Sequence, residues 1–148
     1  MKKKKIKDDR PVYSSRSIRE TQKPLPDSTV HFSFKHLDMK NQKFNIDNRK
    51  TQYFIKMLER LKNLSTLSPQ EILSNRSRAL RAHPITWKDT SEKSGFNHLN
   101  EQLKEITPYQ FEISRDEHGR VHGFFIDNIF FIIWFDPNHQ LYSSQKAR

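Results

Sequence analysis

The chain has 148 residues, which suits one domain, and its formal net charge of +10 favours a polyanionic partner such as nucleic acid. It has no cysteine, which excludes disulfides and thiolate metal sites. The lysine-rich start is not followed by an apolar run, so the sequence predicts no signal peptide and a cytoplasmic location.

The first 28 residues differ in composition from the rest of the chain. They carry nine Lys and Arg against four Asp and Glu, and almost no periodic apolar residues. Such a segment cannot bury enough apolar surface to offset the entropy of ordering, so we predict a disordered basic arm. The arm either binds phosphates or is a solvated tail with no binding function. A single domain at 29–142 and a polar tail at 143–148 are predicted to follow.

Two helices are predicted after a first strand. Residues 30–37 alternate between apolar and polar types, which predicts a strand that joins a sheet formed later in the chain. A helix is predicted after a cap at Asp47 or Asn48, because apolar residues recur at helical spacing over 53–64. Ser68 caps the next helix, with Pro69 in its first turn and Glu71 three residues on. The short link between the helices predicts an antiparallel hairpin against the sheet.

Basic residues concentrate in the second half of the second predicted helix, which Pro84 ends. We expect this part of the helix and the first strand to contact nucleic-acid phosphates through Arg76, Arg78, Arg81 and Lys35.

The C-terminal third predicts three antiparallel strands at 109–115, 120–126 and 129–136. Asp127 and Asn128 form a two-residue loop of the kind that tolerates positive φ. Residues 124–135 are nearly all aromatic or β-branched, which suits a strand covered on both faces, and they are too few to cross a membrane as a helix. With a short helix at 97–105, the order of elements predicts an α+β fold with about four antiparallel strands, one N-terminal and three C-terminal.

Polar residues from distant segments are predicted to meet at one end of this sheet. Strand pairing would place Arg115, Arg120 and His122 together, and the third strand would return His139 and Tyr142 to the same end. Cleavage of RNA by its own 2′-hydroxyl needs a base, a cation for the phosphorane charge and an acid, which such residues can supply. Alternatively, His122 is a hydrogen-bonded sheet residue and His139 caps a turn. No carboxylate-rich cluster accompanies the histidines, so no metal site is predicted.

Two short motifs carry a family resemblance. Residues 114–121, S-R-D-E-H-G-R-V, resemble the S-R-R-I-x-x-E-H-R-L-V-Y segment of the RelE/ParE toxin superfamily, and H-Q-L-Y at 139–142 is similar to the H-Y ending of its YoeB branch. The order of elements is similar too. The resemblance implies a RelE-like fold with Arg120 as the catalytic arginine, His139 as the terminal catalytic histidine and Tyr142 as the terminal tyrosine. Either Glu105 or Glu112 would be the catalytic glutamate. Gly119 interrupts the first motif, and two residues separate the histidine from the tyrosine.

The function implied by this resemblance is that of a toxin in a toxin–antitoxin system, a ribosome-dependent endoribonuclease that cleaves messenger RNA without a cofactor or metal. Its partners would be RNA, the ribosome and an antitoxin protein, with no membrane. The alternative is a non-catalytic module that binds nucleic acid or protein in a mobile element or a phage-defence system. A third hypothesis is binding to an anionic surface through the arm alone.

Overall fold

A computed structural model of the chain describes residues 28–74, 80–115 and 117–142. The predicted arm, apart from Ser28, and the predicted tail lie outside these residues. The described elements form an α+β fold, as predicted. In chain order they are β1 His31–Ser33, α1 Thr51–Leu64, α2 Pro69–Ser74, β2 His83–Pro84, a 3-10 turn Trp87–Asp89, α3 Glu101–Lys104, β3 Pro108–Glu112, β4 Arg120–Ile126 and β5 Ile129–Asp136.

The centre of the sheet is the antiparallel meander of β3, β4 and β5. β4 and β5 have the predicted bounds, and Asp127 in the loop between them has a φ of 53°, which confirms the predicted turn. The prediction for the first strand of the meander was wrong at its C-terminal end, because pairing stops at Glu112.

The sheet is mixed and has five strands among the described residues, in the order β1-β5-β4-β3-β2, where about four antiparallel strands were expected. β1 pairs with β5 in parallel, so the antiparallel prediction was wrong for this strand. It is also shorter than the predicted 30–37, because a turn closed by the Leu37 amide and the Phe34 carbonyl ends it. Phe34 is consequently 52% exposed. β2 adds a short edge to β3 that the sequence did not indicate.

Of the two predicted N-terminal helix caps, one is wrong and one is confirmed. Lys50, not Asp47 or Asn48, is the N-cap of α1, and Asn48 instead has a φ of 61° in the preceding turn. At α2 the predicted capping box is present: the Ser68 amide donates to the Glu71 carboxylate at 3.3 Å, and the Glu71 amide donates to the Ser68 hydroxyl at 3.2 Å.

The third helix and the end of the second also differ from expectation. α3 is shorter than the predicted 97–105, because Asn100 caps it by accepting a hydrogen bond from the Leu103 amide at 2.9 Å. α2 is described to Ser74, so Arg76 and Arg78 lie outside the described residues. Arg81 has a φ of 43° and stands before β2 rather than in a helix.

Each face of the sheet carries its own apolar cluster, as the composition of 124–135 predicted. The first cluster packs α1 and α2 on one face; it includes Tyr53, Leu61, Leu64, Ile72, Phe111, Val121, Phe130 and Ile132. The second is built from irregular segments on the other face; it includes Phe44, Ile85, Phe96, Leu99, Phe124, Ile133, Trp134 and Leu141. The long stretch between α2 and β3 therefore serves as a cover for the second face.

Candidate functional site

Polar side chains replace the apolar ones at one end of the second face. Gln110 and Glu112 of β3, His122 of β4 and Asp136 of β5 are all buried. Alternation along the strands turns them to the same face, away from Phe111 and Val121 of the helix-side cluster. Buried charges are costly unless they are paired, so this row depends on specific partners.

Two arginines compensate the charge of Glu112, whose side chain is 1% exposed. Its Oε1 lies 3.5 Å from a guanidinium nitrogen of Arg81 and 3.6 Å from one of Arg120. The side chains of Arg81 and Arg120 are 44% and 20% exposed, so both extend from the buried carboxylate to the surface. Neither carboxylate oxygen of Glu112 makes a hydrogen bond within the described residues, so it attracts Arg120, its direct neighbour across the β3–β4 pairing, through charge alone.

His122 and Asp136 form a second buried pair, with 3.2 Å between Nε2 and Oδ2. The His122 ring packs edge-to-face against Phe44 and Trp134, which stack on each other. Its burial lowers the pKa of His122 more than Asp136 raises it. Burial alone would raise the pKa of Asp136. Hydrogen bonds from His122 and from two backbone amides outweigh that effect and lower the pKa of Asp136 below its usual value.

Asp136 also fixes the turn that carries His139. Its carboxylate accepts hydrogen bonds from the amides of Gln140 at 2.7 Å and Leu141 at 2.9 Å. His139 lies inside this closed turn with a φ of 53°, in the left-handed region. The backbone that carries His139 is therefore held by the same carboxylate that pairs with His122.

The segment between α2 and β3 holds the end of the described chain. The Ser91 amide donates to the Leu141 carbonyl at 2.7 Å, and the Thr86 amide donates to the Tyr142 hydroxyl at 3.2 Å. Because this hydroxyl accepts a backbone hydrogen bond, its own proton is available for another acceptor. The segment thus has a direct part in placing Tyr142.

Arg120, His139 and Tyr142 line one small cavity, together with Gln110, Asp136 and Leu141. Its volume is about 50 Å³, room for about one or two water molecules. A larger ligand would contact these side chains at the cavity mouth. The Nε of Arg120 is buried and has no hydrogen-bond partner among the described residues. The fold therefore brings together the three residues to which the family resemblance assigns roles.

The other predicted site residues lie elsewhere. His122 is fully buried beneath the cavity rather than in its lining. Arg115 is exposed in the turn after β3, and Lys35 is exposed just after β1, and neither lines the cavity. Arg81 reaches the cluster through Glu112.

Gln110, His83 and Asp136 were not singled out from the sequence. The Nδ1 of His83 lies 2.9 Å from the Pro84 carbonyl oxygen. Because that oxygen can only accept, we assign the imidazole proton to Nδ1, and Nε2 then accepts a hydrogen bond from the Gln110 side-chain amide at 2.7 Å. Of the two glutamates left open, Glu112 lies in the cluster and Glu105 is exposed at the end of α3. Gln110 and Glu112 alternate with Phe111 in a strand next to an apolar hairpin, and this alternation could have indicated that the two polar side chains share one face of the sheet.

The glycine in the turn between β3 and β4 is required by packing. Gly119 has a φ of 74°, and a Cβ there would lie 2.0 Å from the Asp136 carbonyl oxygen and 2.5 Å from Cα of Pro137. Only glycine fits this approach of the β3–β4 turn to the turn that carries His139. Gly119 therefore belongs to the architecture of the cluster.

Comparison with protein-family models, with curated proteins and with solved structures finds no match for this chain. Within residues 28–74, 80–115 and 117–142, no three His, Asp or Glu side chains meet as a possible metal site. None of the helices in these ranges combines the length and apolar character needed to span a bilayer.

Proposed function

We propose that this chain is the toxin of a toxin–antitoxin system, a ribosome-dependent endoribonuclease that cleaves messenger RNA by attack of the 2′-hydroxyl. The proposal is carried by the cavity that Arg120, His139 and Tyr142 share. These residues come from β4 and from the chain after β5, and they supply the three kinds of group that the reaction needs.

Each group has a role in a balanced reaction. His139 accepts the proton of the 2′-hydroxyl, whose oxygen bonds to phosphorus while the bond from phosphorus to the 5′-oxygen breaks. The leaving oxygen takes the proton of Tyr142, whose hydroxyl is already held by the Thr86 amide. The products are a 2′,3′-cyclic phosphate and a 5′-hydroxyl. Arg120 balances the charge on the non-bridging oxygens through its planar fork.

The buried carboxylates act as positioning residues in this scheme. Glu112 attracts Arg120 at 3.6 Å, and Asp136 holds the turn of His139 through hydrogen bonds. Preorganised groups cost no rearrangement during the reaction, which is the main source of electrostatic catalysis.

The charge of the chain supports the proposed partners. A net charge of +10 favours the phosphate backbone of ribosomal RNA, and Lys35 and Arg81 offer exposed cations among the described residues. Arg76 and Arg78 are proposed to act with them. A cognate antitoxin would cover the cavity mouth and the sheet end around it.

Induced expression in a bacterial host tests the proposal. The native chain should arrest growth and produce messenger RNA fragments with 5′-hydroxyl ends. His139→Asn should relieve the arrest, because asparagine tolerates the left-handed φ of 53° but cannot exchange the proton. Lys93→Gln, at an exposed position away from the cavity, is the control and should still arrest growth. Equal urea midpoints would show that both variants fold.

A non-catalytic module that binds nucleic acid or protein is the second candidate. It is favoured by the size of the cavity, about 50 Å³, and by the ion pair that already engages Arg120 with Glu112. Growth arrest without RNA fragments, unchanged by His139→Asn, would select this module over the endoribonuclease.

A further inference from the structure

A second and larger cavity, about 380 Å³, lies at the N-terminal end of α1. Pro137 lines it, whereas Asp136 and His139 line the first cavity, so the two are neighbours across one turn. Nothing in the proposed cleavage reaction uses the residues of this second cavity.

The N-terminus of α1 carries no cap from its own sequence. The N-cap residue Lys50 makes no side-chain hydrogen bond to the helix, and the first turn of this 14-residue helix has no acidic residue. The Tyr53 amide donates to the Lys50 carbonyl at 3.0 Å, so the amides of Thr51 and Gln52 and the positive end of the dipole are left to an external acceptor. Gln52 lines the cavity.

A buried hydroxyl without a partner gives an independent indication of a ligand. Tyr53 lines the same cavity and is only 5% exposed, yet its hydroxyl has no hydrogen-bond partner among the described residues. Burial raises the pKa of Tyr53 well above its usual value, so the group stays a neutral donor. Buried donors are normally satisfied, and an acceptor inside the cavity would satisfy this one.

Charged side chains around the cavity favour an anion. Arg49 and Lys50 line it, and the Nε of Arg49 is also buried without a partner, while its NH1 donates to the Asn138 side chain at 3.4 Å. Among the described residues of the lining, Glu117 is the one carboxylate, and its side chain is 76% exposed, so solvent screens it.

We propose that this cavity is a phosphate-binding site. The amides of Thr51 and Gln52, the Arg49 guanidinium and the Tyr53 hydroxyl donate to the phosphate oxygens. Helix N-termini with adjacent cations bind phosphate through this combination of donors. The phosphate belongs either to a polynucleotide or to a small phosphorylated molecule, since both present the same group.

Titration of the full-length, 15N-labelled chain with inorganic phosphate at constant ionic strength tests the site. The Thr51 and Gln52 amide signals should shift and saturate. Arg49→Gln should weaken the affinity about tenfold, as expected for a charge-assisted hydrogen bond, and Tyr53→Phe about threefold for a neutral one. Lys56→Gln makes the same charge change farther along α1, at an ion pair with Glu59, and should leave the affinity unchanged.

A second titration with an all-deoxy octanucleotide, which lacks the 2′-hydroxyl and cannot be cleaved by the proposed route, identifies the source of the phosphate. Tighter binding than inorganic phosphate at the same amides selects a polynucleotide, and weaker binding selects a small molecule. Because both readouts are binding at Thr51 and Gln52, neither depends on whether the chain cleaves RNA. Absence of saturable shifts there would overturn the proposal. So would a Tyr53→Phe variant with unchanged phosphate affinity, since a hydroxyl that merely lacks a partner would affect only stability.

Discussion

The Nε2 of His122 lies 3.2 Å from the Oδ2 of Asp136, with both side chains buried between β4 and β5. The Nδ1 of His122 has no hydrogen-bond partner among the described residues. Protonation would therefore add a buried N–H without an acceptor, which agrees with the lowered pKa of His122.

This pair predicts a loss of stability in weak acid. The folded pKa of His122 lies below its usual 6.5, so between the two values the unfolded chain binds a proton that the folded chain does not. The His122 contribution is complete above the unfolded pKa and declines as the pH falls toward the folded one, by at most about 1.4 kcal/mol per pH unit. Urea unfolding between about pH 8 and pH 5.5 measures it.

His122→Gln is the matched variant, because its amide can still donate to Asp136 but does not titrate. The difference in unfolding free energy between the native chain and His122→Gln should shrink as the pH falls. His36, whose pKa is also lowered, contributes the same slope to both proteins and cancels. A difference that stays constant with pH would show that this histidine does not titrate differently on folding.

Glu112→Gln should destabilise the fold by about 2 kcal/mol, below the usual cost of breaking a buried ion pair because both arginines reach solvent. The change leaves Arg81 and Arg120 beside a neutral group. Urea midpoints at neutral pH give the value. Glu59→Gln removes one carboxylate from a surface pair with Lys56 and should cost under about 0.5 kcal/mol. Equal costs for the two variants would mean that Glu112 is not a structural counter-ion.

Arg120→Lys should lower messenger-RNA cleavage at the ribosome by at least about tenfold with little change in KM, if the proposed reaction holds. Lysine keeps the charge but loses the planar fork that can meet Glu112 and a phosphate together. Single-turnover cleavage on purified ribosomes measures the chemical step. A change confined to KM would instead assign Arg120 to RNA binding.

The hairpin of β4 and β5 could be predicted from the sequence because the residues that determine it are adjacent in the chain. The Asp127-Asn128 loop and the apolar runs beside it determine both strand bounds. The direction of β1 could not be predicted, since alternation indicates which side chains share a face and says nothing about the neighbouring strand. Its partner, Ile129–Asp136, lies almost a hundred residues away.

The polar cluster could be predicted only in part, because some of its residues are far apart in the sequence. Arg120, His139 and Tyr142 were found because they lie in or near the C-terminal hairpin. Other members of the cluster come from elsewhere. Arg81, which contacts Glu112, lies before β2, and Thr86, whose amide bonds Tyr142, lies in the segment that covers the second face. Sequence spacing carries no sign of contacts made across 31 to 56 positions.

Gly119→Ala should be the most destabilising glycine substitution at a turn, costing about 3 kcal/mol or more. Its Cβ would lie 2.0 Å from the Asp136 carbonyl, which is backbone and cannot rotate away, and its φ of 74° disfavours alanine. Gly95→Ala is the control. Its φ is 69°, but the atoms nearest to the new Cβ belong to the Trp87 ring, the first at 2.9 Å, and a side chain can shift. Thermal unfolding of both variants ranks them. A Gly119→Ala midpoint equal to that of Gly95→Ala would mean that the β3–β4 turn is not held against the turn of His139. A lower midpoint, with cleavage lost in the protein that still folds, would show that this close approach positions the imidazole.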